Sequence, residues 1–169
     1  LISWAVITEG GVQVNIEGKR FWNEMQGYSE AARAVLAQPE GIAWAIFDQR
    51  IAGIARQFAD FQDAEAQGAI LTADTIAELA GKCRLPVDAL ETTMARIGQG
   101  EDPFGRSFDA DKALKAPYCA VRVTGTLFHT QGGLDVTPDA RVKRSGGGVF
   151  DNLYAVGGAA TGVSGTGDY

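Results

Sequence analysis

Histidine is nearly absent from this chain, with His129 the only one in 169 residues. Cysteine is scarce as well: Cys83 and Cys119 lie far apart and form no CxxC pair. A zinc site made from protein ligands would therefore need several carboxylates, against the nitrogen and sulfur donors that zinc prefers. The spacing gives a disulfide no support, and two small reduced thiols suit a cytoplasmic location. No Asn-x-Ser/Thr acceptor occurs. No apolar run approaches the roughly 20 residues of a membrane span, and no signal-peptide pattern follows Leu1. Positive charge is in deficit, with 15 Lys and Arg against 21 Asp and Glu, a net charge of −6 and a pI near 4.8. Nucleic acid is excluded as the main partner, because a phosphate backbone requires a basic stripe. A local cationic pocket for an acidic substrate remains compatible with that balance. Also missing is the G-x-G-x-x-G turn that cradles a dinucleotide pyrophosphate. The run Gly162-Val163-Ser164-Gly165-Thr166-Gly167 has the wrong spacing for it.

What is present is an ordinary globular composition, 46% hydrophobic and 21% charged, in a length that suits one domain or a domain with an appendage. Ser3–Ile7 and Val12–Ile16 are apolar or alternating and predict strands, punctuated by Glu9-Gly10-Gly11 and Glu17-Gly18-Lys19. Residues 29–37 predict a helix with Ala31, Ala32, Val35 and Leu36 on one side, ended by Gln38-Pro39-Glu40-Gly41. Trp44–Asp48 predicts a short strand, 49–68 short helical turns, and Ile70–Thr72 an extended segment. Thr75-Ile76-Ala77-Glu78 is a capping box for a helix reaching about Gly81, with Asp74 as the competing cap. Pro86 suits the first position of a further helix carrying Val87, Leu90, Met94 and Ile97 at helical spacing, and Gly98 and Gly100 stop it. Residues 101–116 predict a loop. Strands are expected at Cys119–Val123, Gly133–Val136, Ala140–Val142 and Leu153–Val156, with a hairpin signal at Ser145-Gly146-Gly147-Gly148. The order of elements is that of an α+β protein.

Five segments carry a family resemblance. Gly18-Lys19-Arg20-Phe21-Trp22-Asn23-Glu24 is similar to a GKRF-x-NE motif, and Ala73–Ala80 to a DTIEELA helix start. Ala116-Pro117-Tyr118-Cys119-Ala120 is similar to an APFYA strand. His129-Thr130-Gln131-Gly132-Gly133-Leu134 and Leu153-Tyr154-Ala155-Val156-Gly157 complete the series as an HT-x-GGL turn and an LYA-x-G strand end. In this order, over nearly the whole chain, they resemble the fumarate reductase/succinate dehydrogenase flavoprotein family. The resemblance implies the following expectations. Residues 1–129 are most of a capping domain that closes over substrate and flavin. Residues 130–169 are a short β-rich C-terminal strip of the FAD-binding domain. The N-terminal FAD-binding domain of the same protein is expected to precede residue 1. The chain is therefore expected to be a fragment that is inactive alone and holds no FAD by itself. The full-length parent is an FAD-dependent oxidoreductase acting on a small-molecule substrate, a carboxylate or a ketone.

The same resemblance assigns site residues. Thr130, Gly132, Gly133, Gly157, Gly158, Gly162, Val163 and Ser164 would lie against the flavin, the glycines letting backbone approach a flat group. His129 would face the substrate and hydrogen-bond developing enolate-like charge. Tyr28 stands where fumarate reductases carry a proton-donating arginine, which makes it the candidate acid/base. Ser3, Trp4 and Ile7 stand where the family has a Thr, Glu and Arg, Asp168 where it has a substrate arginine, and Gly158 where it has a glutamate. The fumarate-specific set is thus absent, which points to another activated carbon–carbon bond. Arg33, Arg56, Arg106 and Arg122 are equivalent candidates for a carboxylate clamp. Ser164 is no hydrolase nucleophile, because Thr166 replaces the last glycine of G-x-S-x-G. The competing class is a non-enzymatic α+β binding or interaction module without flavin.

Overall fold

The computed structural model describes residues 2–126 and 132–161. The chain divides into two compact units, Leu1–Gly125 and Thr126–Tyr169. In the first, one turn of helix, α1 (Ala5–Thr8), leads into strand β1 (Val12–Val14). A 3-10 turn at Glu24–Gln26 precedes helix α2 (Tyr28–Leu36), and strand β2 follows (Ile42–Asp48). Helices α3 (Gln49–Ala55) and α4 (Ala59–Ala66) come next, then strand β3 (Ile70–Ala73), helices α5 (Ile76–Cys83) and α6 (Val87–Arg96), and strand β4 (Tyr118–Thr124). The strands form one antiparallel sheet in the order β1-β2-β4-β3.

This sheet is buried on both faces, and the two-residue period of its strands sorts the core. Ile46 and Ala120 point to the face packed by Leu79, Ala80, Cys83 and Leu90 of α5 and α6. Ala45, Phe47, Cys119 and Val121 point to the face packed by Val6 of α1, Ile51 and Ala55 of α3, and Phe61 of α4. Double-sided burial explains why β2 reads as the nearly unbroken apolar run Ile-Ala-Trp-Ala-Ile-Phe rather than as an alternation. Asp48 ends that run and is buried. Its carboxylate accepts from Ile51 N (3.0 Å), capping α3, and from Lys115 N (3.2 Å), so neither donor is orphaned.

Several elements depart from expectation. Ser3–Ile7 is not a strand. Ser3 Oγ accepts from Ala5 N, Val6 N donates to Ser3 O, and α1 turns so that Val6 and Ile7 are both buried. A short apolar run has no periodicity to separate helix from strand. The turn out of α1 then passes so close that a Cβ on Gly11 would lie 2.3 Å from Val6 O. Pro86 sits one residue before α6, as its cap residue. At α5 the cap is Thr75, accepting from Glu78 N (3.1 Å), and Glu78 Oε2 accepts from Asp74 N (3.2 Å). The loop over 101–116 contains a 3-10 turn, Ala110–Lys112. Residues 49–68, expected as short helical turns, do form two short helices, α3 and α4.

The second unit is a hairpin of β5 (Arg141–Lys143) and β6 (Val149–Tyr154), closed at the expected glycine turn by Arg144 N donating to Gly148 O (3.0 Å). Its small core is Val142, Ala155 and Ala160, with Val136 and Phe150 against them. Gly133–Val136 makes no strand: Leu134 bridges Ala160 and Val136 bridges Val142, so successive residues address different partners and no ladder propagates. Among the described residues no helix is long and apolar enough to cross a membrane.

The packing of α4 against the sheet predicts a sharp contrast between neighbouring aromatics. Phe61 is fully buried and meets Phe47 edge-on at 6.0 Å, whereas Phe58 is 46% exposed. In urea denaturation Phe61→Ala is expected to cost about 3–5 kcal/mol, and Phe58→Ala about 0.5 kcal/mol or less. Equal losses would contradict the packing described.

Candidate functional site

Tyr28 is the first residue of α2, and its ring is 55% exposed. Asn23 Oδ1 accepts from Met25 N (3.0 Å) to start the 3-10 turn, and Gly27 (φ 128°) re-aims the chain into α2. Met25 is also half exposed. Behind this edge the Trp4 and Trp22 rings lie 6.3 Å apart, and Phe21 stacks on Trp22 at 6.5 Å. Trp22 Nε1 donates to the buried Gln13 side chain (2.9 Å), which fixes the indole against β1.

Beneath the turn lies a buried ion cluster. Glu24 is completely buried, and its carboxylate uses both oxygens. Oε1 accepts from Gln13 N (3.1 Å) and Arg20 Nε (2.8 Å); Oε2 accepts from Arg20 Nη2 (2.6 Å) and lies 3.0 Å from Arg106 Nη1. Arg20 Nη1 also pairs with Asp102 Oδ1. Asp102 Oδ2 accepts from Phe104 N (3.1 Å) and Arg106 N (3.0 Å), folding the loop back on itself. The Phe108 ring lies under both guanidiniums, 4.9 Å from Arg20 and 4.5 Å from Arg106. Two cations and two anions leave the cluster neutral, which is what permits its burial. Burial alone would raise the Asp102 carboxyl. The Arg20 guanidinium and the N–H groups of Arg106 and Phe104 outweigh it and hold the carboxyl below the usual carboxylate range.

This cluster corrects the equivalence of the four arginines. Arg106 is 5% exposed and committed to Glu24 and to the Ile7 and Gly11 carbonyls, so it is not a free clamp. Arg56 is taken by Glu65 (2.7 Å) and Gln49. Arg33 and Arg122 are exposed. Sequence reasoning missed Arg20, Glu24 and Asp102. The i,i+4 spacing of Arg20 and Glu24 was a readable signal, but the partners from residues 102–106 are brought in only by the fold.

In the second unit, two glycine segments distant in sequence meet. Leu134 N donates to Ala159 O (2.9 Å) and Thr161 N to Leu134 O (3.0 Å). A Cβ on Gly133 would lie 2.5 Å from Ala159 O, so only glycine permits the approach. Gly132, Gly157 and Gly158 face the opposite situation: a Cβ on any of them would meet nothing within 4 Å. They present bare backbone at the surface. His129, Thr130, Gly162, Val163, Ser164 and Asp168 lie outside the described residues.

A family model described as FAD binding domain matches residues 1–168. The chain belongs to this family. Its members include fumarate reductase-like flavoproteins, oxidoreductases whose cofactor is FAD. The chain is 32% identical over 170 residues to a probable fumarate reductase of Shewanella frigidimarina, covering 98% of this chain and 28% of that protein. It is 30% identical over 204 residues to a 3-oxosteroid 1-dehydrogenase of Mycobacterium tuberculosis, covering 96% of this chain and 36% of that protein. Its fold matches the open conformation of a flavocytochrome c3 fumarate reductase with a TM-score of 0.70 at 31% identity, covering 98% of this chain and 30% of that one. The chain thus spans about a third of the length of each of these three relatives.

The depressed Asp102 carboxyl gives the cluster a pH signature. A carboxyl whose folded value is lowered contributes stability that is complete above its unfolded value of about 3.9 and is lost as pH falls through the folded value. Asp102→Asn is expected to reduce stability at pH 7 by about 1.5–3 kcal/mol, the worth of charged hydrogen bonds. It should also flatten the loss of stability below about pH 4. Urea midpoints measured against pH would show this; parallel curves for the two proteins would refute it.

Proposed function

We propose that the full-length protein is an FAD-dependent oxidoreductase that moves a hydride between flavin and a carbon–carbon bond activated by a carbonyl or carboxylate. In this reading Leu1–Gly125 is the capping domain, supplying Tyr28, and the second unit is the C-terminal part of the FAD-binding domain. Gly132, Gly133, Gly157 and Gly158, together with Thr130, Gly162, Val163 and Ser164, would hold the flavin. Fumarate and a 3-oxosteroid, the compounds named for two relatives, share a carbonyl beside a carbon–carbon bond.

The observation that carries the reading is Tyr28. An ionisable hydroxyl stands exposed at the start of α2, backed by a turn that the buried Glu24 anchors. When bound, FAD supplies the hydride acceptor or donor. Tyr28 would take the proton from the carbon next to the carbonyl during dehydrogenation, or return it during reduction. His129 would hydrogen-bond the oxygen on which enolate charge develops. Trp4 and Ile7, at positions where the family carries charged residues, offer a carboxylate no partner there. These positions are apolar instead, so the substrate is a compound other than fumarate, a ketone or another carboxylate.

The test uses the full-length flavoprotein. Tyr28→Phe keeps the ring and is expected to lower turnover and remove one limb of the pH profile while flavin content stays normal. His129→Ala is expected to cost about 10²–10³ in turnover, the usual loss of one donor to developing charge. Near-normal turnover in both variants on a substrate that the wild type converts would defeat the proposal.

A further inference from the structure

We propose that Arg106 is a positioning residue for this reaction, its buried guanidinium setting the placement of α1 relative to the turn that presents Tyr28. The inference rests on the reading of Tyr28 as the acid/base. Arg106 Nη1 donates to Gly11 O (2.9 Å) and lies 3.0 Å from Glu24 Oε2; Nη2 donates to Ile7 O (3.2 Å). One planar fork therefore joins three segments: the C-terminal half of α1, the start of β1, and the 3-10 turn before α2. Ile7 belongs to the first segment, and Trp4 caps the other end of the same short helix. Tyr28 follows Glu24 by four residues, and the 3-10 turn and Gly27 occupy that interval.

Gln13 N and Arg20 also hold Glu24, and Gly11 N donates to Val6 O (3.0 Å), but only the Arg106 guanidinium reaches α1, Gly11 and Glu24 together. A cavity of about 370 Å³, lined in part by Thr8, Met25, Arg106 and Phe108, opens beside it. Close packing therefore does not by itself fix the spacing between α1 and the turn on that side. Arg106 is instead held from behind, through its own N–H on Asp102 and the Phe108 ring against its guanidinium. Lysine could keep the charge beside Glu24, but a single ammonium lacks the rigid fork needed to hold two carbonyls and a carboxylate at once. Misplacing a reacting group by about 1 Å costs up to about 100-fold in rate.

The experiment is a double-mutant cycle in the full-length flavoprotein with Arg106→Lys, Tyr28→Phe and the pair. Arg106→Lys is expected to bind flavin normally, to lose about 10- to 100-fold in kcat with KM changed less than about threefold, and to alter the pH limb that Tyr28→Phe removes. In the Tyr28→Phe background the same change should cost little more, because a residue acting through Tyr28 has nothing left to place. Additive losses, or an unchanged kcat and pH limb in Arg106→Lys, would overturn the positioning role while leaving the reading of Tyr28 intact. Full turnover in Tyr28→Phe would overturn that reading and this inference with it. If Arg106→Lys fails to fold, Glu24→Gln tests the same link from the other side by the same criteria. Failure of both to fold assigns the cluster to the fold alone and overturns the proposal.

Discussion

The Glu24 carboxylate is the contact on which the first unit depends. An ionised carboxylate without solvent is tolerable only when each lone-pair direction has a donor, and here four are supplied: one backbone N–H from β1, two guanidinium contacts from Arg20 and one from Arg106. These donors arrive from three parts of the chain. The strand, the GKRF-x-NE segment and the loop after α6 are therefore placed by the need to neutralise one charge. Removing a single partner would leave the others buried and unpaired, a penalty of about 3–5 kcal/mol.

The rest of the unit has an apolar core. Helices α5 and α6 close one face of the sheet and α1, α3 and α4 close the other. Gln13 shows how the two kinds of interior meet. Its strand neighbours Val12 and Val14 enter the apolar core, and its own side chain turns to the opposite face to receive the Trp22 indole. The Trp22 ring, against which Trp4 and Phe21 pack, is thus tied to the same strand that supplies a donor to Glu24.

The second unit works on different terms. Its apolar core is small, and its geometry is set by backbone contacts that tolerate no side chain, Gly133 against Ala159 above all. Gly132 and Gly158 have open space around them and no such packing reason to be glycine, while Gly157 (φ 55°) adopts a backbone conformation that glycine favours.

Much of this was legible in the sequence because it is local. The capping Thr75, the amphipathic α2, α5 and α6, the apolar β2 and the glycine hairpin depend on near neighbours in the chain, and the motif order disclosed the flavoprotein family. The helix at Ala5–Thr8 was not legible, since a four-residue apolar run carries no period and Val6 turns inward only because α3 and β2 offer a surface for it. Nor was the distinction among the arginines. Arg33, Arg56, Arg106 and Arg122 have the same chemistry, and what separates them is burial and partners up to 99 residues away, as in the bond from Arg106 to Ile7. Residue types and their spacing determined the local elements and the family. Tertiary structure decided which charges are buried together and what they hold, because desolvation is a property of the folded interior and not of any segment of the chain.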